Sequence, residues 1–371
     1  MTPFRARDYG IEVGYGEPGP LNAITDVAGV RVGHTTLIDG DGPLVVGRGP
    51  VRTGVTVIMP SETIWDRPLF AGAHTLNGNG ELTGLEWVRE SGTLTTPIGL
   101  TNTHSVGIVR DALVAIYARS RDPESLLWSL PVVGETWDGV LNDINGQHVR
   151  AAHVESALEG ATAGAVAEGS VGGGTGMICH QFKGGIGTAS RRLPDEEGGF
   201  TVGVIVQANH GRRLRLAING VPVGRLIGID DPPPPAAPET LPPGAGSIIA
   251  VIATDAPLLP HQCTRIAQRA GLGIARTGGV GEHSSGDIFI AFATGNDNLP
   301  PDGDSTCGAA PISVVMLPNH EMTPLFDAAV EATEEAIVNA LVAAETMVGR
   351  NGIVAHGLDG ERVAGLLRAA G

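Results

Sequence analysis

The sequence predicts a layered α/β fold, with β-sheet inside and apolar helices outside. Short runs rich in Val, Ile and Thr and bounded by Gly or Pro are typical of strands, and they recur along the chain. Other segments carry apolar residues at helical spacing. Hydrophobic residues make up 42% of the 371 positions, which is typical of a folded protein even though the chain holds 55 Gly and 26 Pro. The length allows one large core or two domains.

Seven segments have the composition and length of strands. Two of them, 200–208 and 214–223, are separated by a polar stretch at 209–213, so we expect them to form a hairpin. The run from Ser247 to Thr254 is apolar throughout and is expected to be buried on both faces. The predicted strands are 29–38, 53–60, 200–208, 214–223, 247–254, 287–294 and 312–317.

Three segments are predicted to be helices. The first begins after Ser105, a candidate N-cap, and its apolar residues recur at 106, 109, 113 and 116. The second covers 261–270, and the third covers 323–347, where Thr323 is a candidate cap and Pro324 suits the first turn. No repeat of 20–50 residues is present, which argues against a solenoid. Apolar helices covering buried strands predict a sandwich of layers.

Charge and composition exclude nucleic acid and anionic membranes as partners. The formal net charge is −16 and the pI is near 5.0, whereas either surface requires a dense basic patch. Lys183 is the only lysine and aromatic residues make up 4% of the chain, so a stacking platform for bases is lacking as well.

The cysteines and the N-terminal residues favour a cytoplasmic location. Cys179, Cys263 and Cys307 are an odd number at wide spacings and form no CxxC pair, which suggests a reducing compartment. The first ten residues lack the apolar run of a signal peptide, and no run approaches the ~20 apolar residues of a membrane span.

Several common catalytic motifs are absent from the sequence. It holds no GxxxxGK[ST], no GxSxG and no HExxH, and the glycine-rich stretch 172–187 does not match GxGxxG between a strand and a helix. Cys179 and His180 are adjacent, and adjacent residues of a strand point to opposite faces, so we expect them to be poor joint metal ligands. No metal or cofactor is predicted.

A proline-rich segment leads directly into the apolar strand at Ser247. Residues 230–246 include seven prolines, which exclude a helix or a central strand. A serine hydroxyl can attack the peptide carbonyl that precedes it, and Gly246 removes a steric obstacle to that attack. Hydrolysis of the ester would free an N-terminal serine whose α-amine has a pKa of about 8. On these residues alone, an ordinary linker before a strand remains the alternative.

Five blocks, in order through nearly the whole chain, resemble the L-aminopeptidase/D-esterase family, which includes the β-peptidyl aminopeptidases. The blocks are 22–36 (NAITDVAGVRVGHTT), 52–60 (RTGVTVIMP), 131–149 (PVVGETWDGVLNDINGQHV), 246–279 (GSIIAVIATDAPLLPHQCTRIAQRAGLGIARTGG) and 283–292 (HSSGDIFIAF).

The resemblance implies a four-layer αββα sandwich, similar to the N-terminal-nucleophile hydrolases but with different strand connectivity. It implies one domain over residues 1–371, cut at Gly246–Ser247 into chains 1–246 and 247–371 that stay associated. Tetramers of such heterodimers are usual in the family. The implied activity is release of N-terminal residues from peptides, amides and esters without a metal or organic cofactor.

The resemblance also implies roles for individual residues. Ser247 matches the nucleophile, and Ser285 and Asp287 match the pair that orients it. Asn209 matches the donor to the oxyanion, and Glu135 matches the carboxylate that binds the substrate ammonium. Trp137 stands where many relatives carry Tyr, and its indole N–H cannot accept a proton, so we expect it to line the substrate pocket instead. Without the resemblance, these polar residues would be interpreted as turn or cap residues.

Two alternative functions stay open at this point. An acyltransferase of the ornithine acetyltransferase type shares the architecture and the self-cleavage, although its usual nucleophile is threonine and Ser247 argues against it. A scaffold without activity is the other, and the joint presence of the five matched polar residues argues against that. The choice among L-α-peptides, D-alanine amides or esters and β-peptides depends on pocket shape, which the sequence leaves open.

Overall fold

Two β-sheets stack face to face, and each carries helices on its outer side. The computed structural model describes residues 4–124, 128–236, 246–301 and 311–370. Strands and helices are numbered in chain order. Helices α2 and α3 cover the outer face of the first sheet, and α5 and α6 cover that of the second. The order of layers is therefore helix, sheet, sheet, helix, as the sequence predicts.

The two main sheets have four and six strands. In spatial order, the first sheet is β1 (Arg31–Asp39), β2 (Val51–Met59), β5 (Ile98–Asn102) and β6 (Val132–Thr136). The second is β4 (Thr93–Leu94), β3 (Leu69–Gly78), β12 (Gly286–Ala293), β11 (Ser247–Thr254), β10 (Thr201–Asn209) and β9 (Gly185–Arg192). Two small hairpins are β7 (Ile178–Cys179) with β8 (Phe182–Lys183), and β13 (Met347–Val348) with β14 (Val354–Ala355).

The helices differ in length and in position around the sheets. They are α1 (Leu85–Ser91), α2 (Val106–Arg119), α3 (Ala151–Glu159), α4 (Val223–Ile227), α5 (Pro260–Arg276), α6 (Thr323–Val342) and α7 (Gly360–Ala370). Within the described ranges, no helix combines the length and apolarity needed to cross a membrane.

Three apolar cores separate the four layers. Strand β11 contributes to two of them, because successive side chains of a strand point to opposite faces. Ile249 and Val251 lie between the sheets, while Ile248 and Ile252 pack toward α5 and α6. A third core joins the first sheet to α2 and α3. Burial on both faces explains why the β11 sequence shows no polar alternation.

Five of the seven predicted strands are confirmed, and two predictions are wrong. Residues 214–223 form turns and the start of α4, with positive φ angles at Asn219 and Gly220, so the predicted hairpin does not exist. Instead, β10 pairs with β9 and β11. Residues 312–317 also lie outside any strand; there the side chain of Asn296, in place of a neighbouring strand, bonds both the N–H and the carbonyl of Val315, at 2.8 and 2.9 Å.

The helix predictions are confirmed in place but not in every detail. Ser105 precedes α2, yet its side chain makes no capping bond. Thr323 is the first helical residue of α6 rather than its cap, while Pro324 lies in the first turn as predicted. Helix α6 ends at Val342, before the predicted end at 347, and residues 347 and 348 form β13. Of the predicted features, Cys307 and residues 237–245 of the proline-rich segment lie outside the described residues.

Candidate active site

Ser247 is the first residue of a central strand and has a neighbour on each side. β11 pairs antiparallel with β10 and parallel with β12. The residue is only 6% exposed, and its Oγ accepts a hydrogen bond of 3.0 Å from the backbone N–H of Gly286. Ser247 therefore lies between two strands, and the backbone of one of them contacts its hydroxyl.

Gly246 precedes Ser247 at a point where the backbone passes very close to another strand. A Cβ at position 246 would lie 1.9 Å from the carbonyl oxygen of Asn209, far inside van der Waals contact. Any side chain here would push the chain away from β10. The requirement for glycine at this junction is thus a matter of backbone approach.

On the β12 side, Ser285 and Asp287 form a buried hydrogen-bonded pair. The Ser285 hydroxyl donates to Asp287 Oδ1 at 2.5 Å. Burial raises the pKa of the Asp287 carboxyl to about 6, against the opposing effect of hydrogen bonds from Ser285 and from the backbone N–H of Ile248. A carboxyl in this range can change its charge close to neutral pH.

On the β10 side, Asn209 lies directly opposite Ser247 in the ladder. Opposed residues of an antiparallel pair project to the same face, so the two side chains are neighbours. The Asn209 Oδ1 accepts a bond of 2.8 Å from the N–H of Ile178, and Nδ2 donates to the carbonyl of Trp137 at 3.0 Å. The bond from Ile178 fixes the orientation of the amide, which leaves the NH₂ group as a donor.

Glu135 reaches the site from the other sheet. It lies on β6, whose Gly134 packs so closely on β11 that a Cβ there would be 3.1 Å from Ile249. Its Oε1 accepts from the N–H of Glu81 at 3.0 Å, and its Oε2 accepts a short bond from the Thr103 hydroxyl. Burial raises the pKa of this carboxyl, although both hydrogen bonds oppose the rise. A nearly buried carboxylate of this kind suits a cationic ligand.

Gly80 connects Glu135 to the serine side of the site. A Cβ at position 80 would lie 3.0 Å from Glu135 Oε1 and 3.1 Å from the Cα of Gly286. Gly286 in turn donates to Ser247. The structure therefore brings Ser247, Ser285, Asp287, Asn209 and Glu135 together in one region of the molecule.

Trp137 contributes its backbone to this region. Its carbonyl accepts from Asn209, whereas its indole lies over Gly139 and packs on a small apolar cluster that includes Leu141 and Ala355. The side chain is half-buried. That it lines a substrate pocket stays a prediction.

The sequence patterns do not mark Lys183 as a site residue. The lysine is fully buried and donates to the carbonyls of Met177 and Gly184 at 2.9 and 2.8 Å, inside the glycine-rich stretch that also supplies the Ile178 N–H. Burial lowers the pKa of Lys183 to about 7. The one sequence feature that could have drawn attention to Lys183 is its position as a lone lysine among glycines. Thr103, the partner of Glu135, offered no such signal.

The expectation for Cys179 and His180 is wrong. Strand β7 ends at Cys179, and His180 has a φ of +48°, so the chain turns and the alternation of faces stops. Both side chains join His210 in a buried cluster, in which one candidate ligand atom from each residue lies within 4.8 Å of the others. Among the described residues, this is the group of side chains that could hold a metal ion.

Comparisons with known proteins agree with this architecture. The chain is 50% identical to the β-peptidyl aminopeptidase BapA of Sphingosinicella microcystinivorans, over 94% of this chain and 88% of that protein. The solved β-aminopeptidase of Burkholderia sp. is 56% identical, with a TM-score of 0.90 over 99% of both chains. The L-aminopeptidase D-Ala-esterase/amidase of Ochrobactrum anthropi, described as a variant of the Ntn hydrolase fold, is 44% identical, with a TM-score of 0.88 over 99% of this chain and 98% of that one.

A family model covers most of the chain as well. The model for peptidase family S58 matches residues 22–355, a range that includes every residue of the site. The Ntn-like fold of the Ochrobactrum enzyme also agrees with the layer order found here. The chain therefore belongs to peptidase family S58.

Proposed function

We propose that the chain is an aminopeptidase whose nucleophile is Ser247, made N-terminal by self-cleavage of the Gly246–Ser247 bond. One observation carries the proposal: a strand begins at a buried serine flanked by an oriented amide donor on one side and a serine–carboxylate pair on the other. Glu135 lies next to this group. No metal takes part in the proposed reaction.

Maturation would begin with attack of Ser247 Oγ on the carbonyl carbon of Gly246. The C–N bond breaks, the Oγ proton passes to the leaving nitrogen, and Gly246 becomes an ester on the serine. Water then hydrolyses the ester and frees the hydroxyl and the α-amine. The products are chains 1–246 and 247–371 of one domain. They stay together because β11 and β12 lie between β3 and β10 in one sheet.

Turnover would use the same hydroxyl with the new α-amine as its base. Ser285 and Asp287 hold the amine and hydroxyl in place, and Asn209 Nδ2 donates to the oxyanion. The carbonyl carbon of the first residue forms an ester bond with Ser247 Oγ as its bond to the leaving group breaks, and the leaving nitrogen, or oxygen in an ester substrate, takes up the Oγ proton through the α-amine. Water then releases the free amino acid. Peptides, amides and esters all fit this scheme.

Glu135 would select substrates with a free amino group. Its carboxylate accepts hydrogen bonds from two neutral donors and interacts electrostatically with His104, so a substrate ammonium would add a direct ion pair. Two relatives that share half or more of this sequence are named as a β-peptidyl aminopeptidase and a β-aminopeptidase. We therefore propose N-terminal β-amino acids as the preferred class. Rates on β-alanyl, L-alanyl and D-alanyl p-nitroanilides would rank the three.

Assembly and location belong to the same proposal. We propose a tetramer of cleaved heterodimers, which native mass spectrometry would test. The two buried cysteines of the described residues, Cys179 and Cys263, are free thiols, which supports the cytoplasm as the compartment. Cell fractionation would test that location.

The decisive experiment is the intact mass of the purified protein under denaturing conditions. Cleavage of the 38.0 kDa chain at Ser247 gives pieces of about 25 and 13 kDa, the smaller starting at Ser247. Ser247→Ala is expected to stay in one piece and to lose hydrolysis of aminoacyl amides. Ser247→Thr is the matched control, because it keeps a hydroxyl. Wild-type turnover by the alanine variant would disprove the mechanism.

A further inference from the structure

The proposed reaction makes no direct use of the cluster of Cys179, His180 and His210. The three residues are 0, 0 and 3% exposed. Cys179 Sγ lies 3.8 Å from His210 Nδ1. In a tetrahedral zinc site, with Zn–S of about 2.3 Å and Zn–N of about 2.0 Å, neighbouring ligand atoms are about 3.5 Å apart. The sulfur and this nitrogen are therefore already separated by nearly the distance that a shared metal requires.

The orientation of His180 is also that of a ligand. Its Nδ1 lies 3.2 Å from the backbone carbonyl oxygen of Arg212, to which it donates. Metal-bound histidines commonly use their second ring nitrogen in this way, because the bond fixes the tautomer and directs the other lone pair to the metal. His180 Nε2 is buried and has no hydrogen-bond partner in the described structure.

His210 adds a second imidazole of the same kind. Its ring centroid is 5.2 Å from that of His180, with the planes at 67°. The Nε2 of His210 is likewise buried without a partner among the described residues. The candidate ligand atoms are therefore the Cys179 sulfur, the His210 Nδ1 that faces it, and the unpartnered Nε2 of His180.

The donor set selects the class of metal. A thiolate and imidazoles favour Zn²⁺, Cd²⁺ or Co²⁺, whereas Mg²⁺ and Ca²⁺ require oxygen ligands. Lys183 interacts electrostatically with Cys179, and in its charged form it opposes a second cation. Only a metal that bonds strongly to sulfur and nitrogen can offset this repulsion.

We propose that Cys179, His180 and His210 bind a thiophilic divalent cation, of which Zn²⁺ is the biological candidate, and that the bound metal slows turnover by moving Asn209. On binding, the Cys179 thiol loses its proton to solvent as the metal–sulfur bond forms, and the two imidazoles bind as neutral ligands. No electron is transferred.

The backbone connects this cluster directly to Asn209. His210 follows Asn209 in the chain, and Cys179 follows Ile178, whose N–H holds the Asn209 amide. The N–H of His180 donates to the carbonyl of His210 at 2.6 Å. Ligand atoms that are now up to 4.8 Å apart must approach each other when a metal binds, which shifts both segments that orient Asn209. The effect on turnover rests on the proposed function, whereas metal binding itself does not.

The test is a Cd²⁺ titration of the chelator-treated protein, followed by the cadmium–thiolate absorption band in the ultraviolet. Every protein carries Cys307→Ser, so that two thiols remain. We expect one Cd²⁺ per chain, loss of the band in Cys179→Ser, and at least about tenfold weaker binding in His180→Gln. Cys263→Ser is the matched control, because Cys263 is equally buried and its Sγ contacts the Phe70 carbonyl at 3.7 Å instead of a histidine.

Each result then decides one part of the proposal. Absence of saturable binding, or a band that persists in Cys179→Ser, would overturn the metal site. Loss of the band in Cys263→Ser would do the same. Circular dichroism shows whether Cys179→Ser folds. If it does not, the loss of binding in His180→Gln tests the site instead. A fall in kcat with Zn²⁺ in the wild type but not in His180→Gln supports the effect on Asn209. Binding with unchanged kcat would overturn that effect alone, and a protein without peptidase activity can still be titrated.

Discussion

The two strands beside β11 bring different chemistry to Ser247. On the β12 side, Asp287 has a pKa near neutrality and can change its charge. On the β10 side, Asn209 is held by the Ile178 N–H and donates without titrating. In the proposed mechanism, the pair that positions the base and the donor that stabilises developing charge are thus separated by the width of one strand. The separation predicts that variants on the two sides differ in their dependence on pH.

Asp287→Asn is expected to have the largest effect in a comparison of the two sides. The amide keeps the shape of the side chain but loses the charge that holds the Ser247 amine and hydroxyl in place, and kcat should fall by about 10²–10⁴, the range for impaired proton transfer. The cleaved fraction is measured by intact mass, and kcat is normalised to it. Asp255→Asn is the matched control, since Asp255 is a half-buried carboxylate just beyond the other end of β11. Equal effects of the two variants would contradict the assignment.

Asn209→Ala tests the other side. Loss of one oxyanion donor should lower kcat by about 10²–10³ while KM changes little, because the donor acts mainly in the transition state. The deficit should be the same at every pH, unlike that of a titrating group. Asn219→Ala removes an asparagine side chain that bonds the Glu12 carbonyl away from the site, and it should leave kcat unchanged. A deficit that varies with pH would remove the distinction between the two sides.

Glu135→Gln is expected to act on binding more than on chemistry. Loss of a charged hydrogen bond costs about 1.5–3 kcal/mol, so kcat/KM for free-amine substrates should fall about 10–100-fold. The comparison substrate is the same amide with an acetylated amine. Discrimination between the two substrates should shrink, since only the free amine uses the carboxylate. Undiminished discrimination would show that Glu135 does not bind the ammonium.

The pH profile gives the smallest and most specific effect. Below its pKa of about 6, Asp287 is protonated and neutral, so kcat/KM should decline as the pH falls through that value. The hydrogen bond from Ser285 lowers this pKa. Ser285→Ala should therefore move the acidic limb to higher pH. If the acidic limb of the kcat/KM profile stays at the same pH in this variant, the titration belongs to another group.

Much of this site could be predicted because it coincides with sequence boundaries. The polar Ser247 opens an apolar run, and the strand begins at that residue; β12 was likewise predicted to within one residue. The resemblance singled out Asn209 and Glu135, and the structure places both next to β11. Which residues surround Asn209 and Glu135 depends on how the two sheets stack on each other.

The features that the sequence did not predict all depend on tertiary contact or on a single backbone angle. Thr103 bonds Glu135 from another strand end, which no local pattern encodes. His180 joins Cys179 and His210 only because its φ is positive, a conformation rare for histidine. The run 214–223 is rich enough in Leu, Ile and Val to suggest a strand, yet β10 already pairs with β9 and β11. Local propensity could not show that both edges of β10 were occupied.

Burial of the only lysine has a practical consequence for chemical modification. Lys183 is 0% exposed, and its ammonium is engaged with backbone carbonyls, so reagents that acylate amines find no accessible lysine on the folded protein. The amines left to react are those at chain termini. If Ser247 becomes a terminus, its amine joins that short set, and mild acylation followed by peptide mapping would label the nucleophilic residue itself. The same scarcity of amines would direct surface immobilisation to the chain ends.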